Sequence, residues 1–143
     1  MITETTGDIW SYVATHKIII PTNRLGVMGA GLALAAKQRY PGIQTAYQQA
    51  LLFGHDKGSP WYSDNYAEVI LAPTKRHWKD KSRIEDVADI LSKLSQMPGG
   101  PFVIPEMGCG LGGLSWELTK GFYKVFEKIS PEWIVVHPPK KMR

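Results

Sequence analysis

Apolar residues in this chain fall into short unbroken runs separated by longer stretches in which they recur every three or four positions. Lys17-Ile18-Ile19-Ile20, Glu68-Val69-Ile70-Leu71-Ala72, Phe102-Val103-Ile104 and Trp133-Ile134-Val135-Val136 are the unbroken runs. Such runs predict strands buried on both faces. Pro21 and Pro73 follow the first two, and a proline cannot donate to a ladder, so each is expected to end its strand, while the third strand is read as running through Pro105. Between the runs, Leu32, Ala35 and Ala36 share one face of a predicted helix over about Gly29–Arg39, stopped by Pro41-Gly42. Gln44–Leu52 reads as further helix. Ser82 and Glu85 have the form of a capping box, opening a helix with Ile84, Val87, Ala88, Leu91 and Leu94 at helical spacing. Pro98-Gly99-Gly100-Pro101 ends it. Ser115 can cap a last helix striped by Leu118, Phe122, Val125, Phe126 and Ile129.

The remaining segments are less patterned. Gly7-Asp8-Ile9-Trp10 opens the fold, Gly54–Pro60 is a loop by composition, and Trp61–Tyr66 reads as a short strand or hairpin arm. The basic tail from His137 is expected to fray. Strands and helices alternate throughout, which predicts an α/β fold with helices on both faces of a mostly parallel sheet. At 143 residues, with no repeat or linker, the chain is expected to be one domain.

Composition narrows the class. Hydrophobic residues make up 43% and charged residues 21%, which reads as globular, and no apolar run is long enough for a membrane helix. No signal peptide is visible at the N-terminus. The single cysteine, Cys109, excludes an internal disulfide and fits a reducing compartment, so a cytoplasmic protein is expected. Paired-cysteine zinc motifs are absent, and neither metal nor cofactor is expected. A net charge of +4 favours an anionic partner without demanding nucleic acid.

Two glycine-rich stretches carry the candidate chemistry. Asn23-Arg24-Leu25-Gly26-Val27-Met28-Gly29-Ala30-Gly31 follows the first strand, and Glu106-Met107-Gly108-Cys109-Gly110-Leu111-Gly112-Gly113 follows the third. Each precedes a helix. Missing Cβ atoms let peptide N–H groups approach an anion, and a helix N-terminus adds its dipole. The spacing is neither a dinucleotide fingerprint nor a P-loop. In an open α/β sheet such loops lie at the carboxyl ends of strands, where ligands bind, so two of them can clamp a diphosphate. The third strand-end loop, Thr74-Lys75-Arg76-His77-Trp78-Lys79-Asp80-Lys81, belongs on the same rim and carries four basic residues.

These residues carry a resemblance. Gly7-Asp8-Ile9, Asn23 to Ala33 and Ile104 to Trp116 together resemble a macro domain, the module that binds ADP-ribose, and the resemblance covers almost the whole chain, residues 1–143. Pro73-Thr74-Lys75-Arg76-His77-Trp78 with Ser82-Arg83-Ile84-Glu85-Asp86 is similar to the branch containing the DarG antitoxin and the terminal ADP-ribose glycohydrolase. The resemblance implies a mixed central sheet in a three-layer α/β/α arrangement. It implies that Asp8, with Ile9 beside it, binds the adenine amino group and that Asn23 contacts the distal ribose. Gly26, Val27, Met28, Gly29, Gly31 and Leu32, with Thr74, Gly108, Cys109, Gly110, Leu111, Gly112 and Gly113, would surround the ligand and hold its diphosphate. Lys75 matches a lysine implicated in catalysis. Two departures stand out: Ile20 replaces a usual asparagine, and Gly112 replaces the aspartate of the terminal glycohydrolase, as it does in DarG-like sequences.

The implied function is an ADP-ribosyl glycohydrolase acting on a modified macromolecule, DNA first and protein second, with Lys75 and Asn23 as catalytic residues. Lys75 can act as a neutral nucleophile or base, or as a cation that orients the ribose and stabilises the leaving group. Arg76, His77, Trp78 and Lys79 are candidate nucleic-acid contacts, Trp78 by stacking on a base, though a solvated face or core packing explains them too. Glu106 can touch ribose or act as a base, with a cap or a surface role as the plainer reading, and Cys109 reads as a packing residue. The alternatives are a reader of ADP-ribose without turnover and a hydrolase of a free ADP-ribose derivative. A monomer without a fused toxin-contacting domain is expected.

Overall fold

The computed structural model describes residues 2–128 and 133–139, and the side chains of all of these except residues 125–128. Five parallel strands form one sheet in the order β1-β5-β4-β2-β3, with β1 Thr3–Thr6, β2 Lys17–Asn23, β3 Val69–Lys75, β4 Phe102–Ile104 and β5 Ile134–His137. Among the described residues, antiparallel pairing is limited to one isolated bridge from Trp61 to Leu71, which is all that forms of the expected arm at Trp61–Tyr66. The helices are α1 Gly31–Arg39, α2 Ile43–Leu52, α3 Ile84–Ser95 and the short α4 Trp116–Thr119, which continues as a 3₁₀ helix over Lys120–Lys128.

Alternation along the strands builds two cores. Ile18 and Ile20 of β2, with Val69 and Leu71 of β3, face Ala33, Ala36, Ile43 and Tyr47 of α1 and α2. Ile19, Ile70 and Ala72 point the other way, onto Val87, Ile90, Leu91 and Leu94 of α3. The three-layer arrangement follows from burying both faces of a parallel sheet.

Several local expectations change. β2 runs through Pro21 and β3 through Pro73. Ile18 N–H bonds toward β3, so the alternation points the Pro21 nitrogen at the β4 side, past the last β2–β4 pair at Ile18 and Val103. Leu71 N–H points outward to Trp61, so the Pro73 nitrogen lies on the open side of an edge strand. Neither proline therefore removes a ladder bond. In α1 the fully buried positions are Ala33 and Ala36 rather than Ala35. Ser82 is not a cap: Arg83 holds the N-cap position of α3, with no side-chain cap bond. A lost cap costs about 1 kcal/mol. Burying Val87, Ile90, Leu91 and Leu94 contributes roughly 1.5–3 kcal/mol each, so packing fixes α3.

Ser115 does cap α4, accepting from Leu118 N–H at 3.3 Å. Leu118 and Phe122 are nevertheless exposed, and Thr119 and Tyr123 point inward. Tyr123 sets this register, donating from Oη to Pro105 O and accepting from Met107 N–H, both at 2.6 Å. Of the predicted stripe, Ile129 and the side chains of Val125 and Phe126 lie outside the described residues. His137 ends β5 rather than opening a frayed tail.

One carboxylate joins two loops to a helix. Asp86, 7% exposed in the first turn of α3, takes two hydrogen bonds from Arg76, at 3.0 and 3.3 Å, and an ion pair from Arg24 at 3.5 Å. The bonds from Arg76 hold its pKa below the usual carboxylate value, against the opposing effect of burial. We expect Asp86→Ala to lose about 2–3 kcal/mol in urea unfolding, less than a fully buried pair because both arginines reach solvent. A lowered folded-state pKa contributes stability above the unfolded value, so the difference from wild type should persist at neutral pH and shrink below about pH 4.

Candidate functional site: a cleft at the carboxyl ends of the strands

A cavity of about 1190 Å³ opens where β2, β3 and β4 end. Asn23 builds its first wall. The Asn23 Oδ1 accepts from Leu25 and Val27 N–H, both at 3.1 Å, and its Nδ2 donates to Val27 O at 2.7 Å. The side chain thus closes the loop that follows β2, and Asn23 lines the cavity with one N–H of Nδ2 left without an acceptor among the described residues. Gly26 takes a positive φ of 75°, and a Cβ there would lie 2.8 Å from Gln48 Cγ. Met28 is fully buried, its N–H donating to Gln44 Oε1 at 2.7 Å. Gly26 and Met28, expected around the ligand, therefore pack against α2 and do not line the cavity, whereas Val27, Gly29, Gly31 and Leu32 do.

The second wall is the loop after β4. Gly108, Cys109, Gly110, Leu111 and Gly112 line the cavity, and Gly113 turns away toward Lys81. N–H groups of Gly29, Ala30, Gly110, Leu111 and Gly112 meet no acceptor among the described residues. Ala30, the N-cap of α1, supplies no side-chain bond either. The two loops and the α1 N-terminus thus present donors suited to an anion. Burial pushes the Cys109 thiol up from its usual pKa, and the sulfur sits 3.4 Å from Thr119 Oγ1, an arrangement of packing rather than of a reactive thiolate.

Gly112 is required by contact. A Cβ there would fall on Ser82 Oγ and 2.5 Å from Gly108 O. Ser82 N–H donates to Gly112 O at 2.9 Å. Ser82 and Thr22 both line the cavity, are buried, and have hydroxyls with no hydrogen-bond partner among the described residues. Sequence reasoning missed both as site residues: Ser82 carried a helix-cap signal, and Thr22 sat inside a strand pattern.

Lys75 ends β3 in register with Asn23, and its carbonyl accepts from Arg24 N–H at 2.9 Å. Lys75 lines the cavity, and its amine has no ion pair or hydrogen bond among the described residues. Thr74 lines it too. Of the basic loop, Trp78 reaches the cavity while 48% exposed, stacked on His77 with Lys79 Nζ 5.0 Å from its ring centroid. Arg76 and His77 do not line the cavity; Arg76 is bound to Asp86, and His77 Nδ1 accepts from Lys79 N–H. At the other end, Asp8 and Ile9 line the cavity, Asp8 also capping a 3₁₀ turn through Trp10 N–H. Ile20 is buried in the sheet. Among the described residues no group of three His, Cys, Asp or Glu side chains is arranged to hold a metal ion, and no helix is long and apolar enough to cross a membrane.

No family model matches the sequence. The DNA ADP-ribosyl glycohydrolase of Mycobacterium tuberculosis is 30% identical over 153 residues, spanning 97% of this chain and 42% of that protein. The solved macrodomain of Mycobacterium tuberculosis DarG matches with a TM-score of 0.85 at 30% identity, covering 98% of this chain and 99% of that one. The chain belongs to the macro domain family. The macrodomain of Thermus aquaticus DarG matches with a TM-score of 0.84 at 27% identity, covering 97% of this chain and 99% of that one. Thermosipho africanus DarTG, solved in complex with ADP-ribose, matches with a TM-score of 0.77 at 25% identity over 96% of this chain and 42% of that one. The chain therefore spans about two fifths of the length of the curated relative.

Replacing Gly112 by alanine in this macro domain should force the two cavity segments apart. The expected cost is about 1–3 kcal/mol, as for other overpacked sites, read as a lowered Tm. An unchanged Tm would show that the contact with Ser82 and Gly108 relaxes freely.

Proposed function

We propose that the chain is a DarG-like ADP-ribosyl glycohydrolase that releases ADP-ribose from DNA. The observation that carries this reading is Lys75: a cavity-lining residue whose amine is unpartnered among the described residues, at the end of a strand whose neighbouring loops offer free N–H groups. The 30% identity to the DarG macrodomain over nearly the whole chain supports it. Residues 1–143 then form one macro domain. In this reading Asp8 takes the adenine amino group. The free N–H groups of both glycine loops hold the diphosphate, and the spare N–H of Asn23 meets the distal ribose. Asn23 contributes chiefly by shaping its loop.

Hydrolysis bonds a water oxygen to the anomeric carbon and breaks the bond to the modified base. The departing atom keeps the electron pair and takes a proton. The carboxylates lining the cavity, Asp8 and Glu106, stand at the β1–β5–β4 side, away from Lys75. Lys75 therefore contributes a cation that orients the ribose and stabilises the leaving group. The DNA preference rests on Trp78, whose exposed ring at the cavity edge can stack a base, worth about 1–3 kcal/mol, with Lys79 beside it for a phosphate. A monomer in the cytoplasm fits this reading.

The test is Lys75→Ala assayed on ADP-ribosylated single-stranded DNA, with ADP-ribose binding followed by calorimetry. Turnover should fall by about 10²–10⁴-fold, the usual range for a positioned catalytic side chain, while the Kd for ADP-ribose changes by only a few fold. Wild-type turnover by the variant would remove Lys75 from the mechanism.

A further inference from the structure

Glu106, the residue before the second glycine run, lines the cavity and is locked from behind. Its Oε1 accepts from His137 Nδ1 at 2.6 Å, and His137 Nε2 lies 2.8 Å from Glu4 Oε1. A histidine donates to two carboxylates at once only as imidazolium. Burial disfavours that charge, but the bonds to Glu4 and Glu106 outweigh it and raise the His137 pKa. Trp116 closes on the ring edge-on at 4.8 Å. Among the described residues, the other charges on that side are Glu117, Lys120 and Lys124 of the last helical segment, Glu117 and Lys120 being paired with each other at 2.7 Å. Glu106 Oε2 has no hydrogen-bond partner among the described residues. The side chain is 22% exposed, so this oxygen is an oriented acceptor at the cavity wall.

Position decides what it can meet. Gly7 N–H donates to His137 O at 3.0 Å, which sets Asp8 beside the Glu106–His137 pair. Glu106 follows β4, two strand spacings from β3, roughly 10 Å at about 4.8 Å each, and its partner His137 ends β5, one spacing further away. The cavity is therefore polarised, with carboxylates at one end and Lys75 at the other. An acceptor-only group needs a donor from the ligand. With the adenine amino group on Asp8, the donors left at this end are the hydroxyls of the adjoining ribose. Dinucleotide-binding folds place a carboxylate on the ribose 2′-hydroxyl, and this disfavours a 2′-phosphate by like charge.

We propose that Glu106, positioned by His137, accepts the 2′-hydroxyl of the nucleoside ribose and excludes ligands that carry a phosphate there. Glu106 is a specificity-determining residue and His137 a positioning residue. The inference rests on the ADP-ribose reading of the cavity. It is tested by calorimetric titration of ADP-ribose and of 2′-phospho-ADP-ribose into wild type, Glu106→Gln and His137→Gln. Wild type should prefer ADP-ribose by about 10–100-fold, the range expected for a hydrogen bond to a charged acceptor. Glu106→Gln should bring the two ligands to within about threefold of each other. Wild-type affinity for ADP-ribose should weaken as pH rises through the raised His137 pKa, while His137→Gln binds more weakly with a flat profile. Equal binding of the two ligands by wild type overturns the inference, as does an unchanged preference in Glu106→Gln. Failure of wild type to bind ADP-ribose at all overturns the proposed function together with it.

Discussion

The side of the cavity that holds Lys75 depends on one carboxylate. Asp86 binds Arg24, which follows β2, and Arg76, which follows β3, so the ends of two neighbouring strands are tied to the first turn of α3. The backbone adds a further tie from Arg24 N–H to Lys75 O. Two arginine charges are thereby spent on structure, and Lys75, next in sequence to one of them, is left to the cavity. The order of interactions matters physically. A lysine flanked by unpaired arginines would share its space with competing cations, whereas here both neighbouring guanidinium groups are held on the Asp86 carboxylate and do not line the cavity.

The same economy shapes the other walls. Asn23 spends most of its hydrogen-bonding capacity on its own loop, and Gly112 leaves room for the Ser82 hydroxyl and the Gly108 carbonyl. What remains facing the cavity is a graded surface: carboxylates by β1, β5 and β4, free peptide N–H groups in the middle, and an amine at β3. A ligand with hydrogen-bond donors at one end, a diphosphate in the middle and a scissile ribose at the other matches that gradient.

Much of this was legible in the residues. Unbroken apolar runs marked β2, β3, β4 and β5, because strands buried on both faces need no polar alternation. β1 was not legible: Thr3–Thr6 is a mostly exposed edge strand with no apolar signal, recognisable only by its pairing with β5. Pro21 and Pro73 were misleading as strand ends because their harmlessness depends on which side each missing N–H faces, and that is a property of the assembled sheet. The capping box at Ser82 failed because the serine was drawn to the glycine loop instead. In the site, glycine spacing located both loops but could not separate Gly26 and Gly113, which serve turns, from the glycines that line the cavity. His137 and Glu106 are 31 residues apart, and no local pattern joins them.

The most direct measurement follows the fate of an ADP-ribosylated single-stranded oligonucleotide incubated with the wild-type protein, by mass spectrometry. The account predicts unmodified DNA and free ADP-ribose in equal amounts, accumulating with time and enzyme concentration. An intact modified oligonucleotide, under conditions where the protein binds ADP-ribose, would contradict it and leave a binding module in its place.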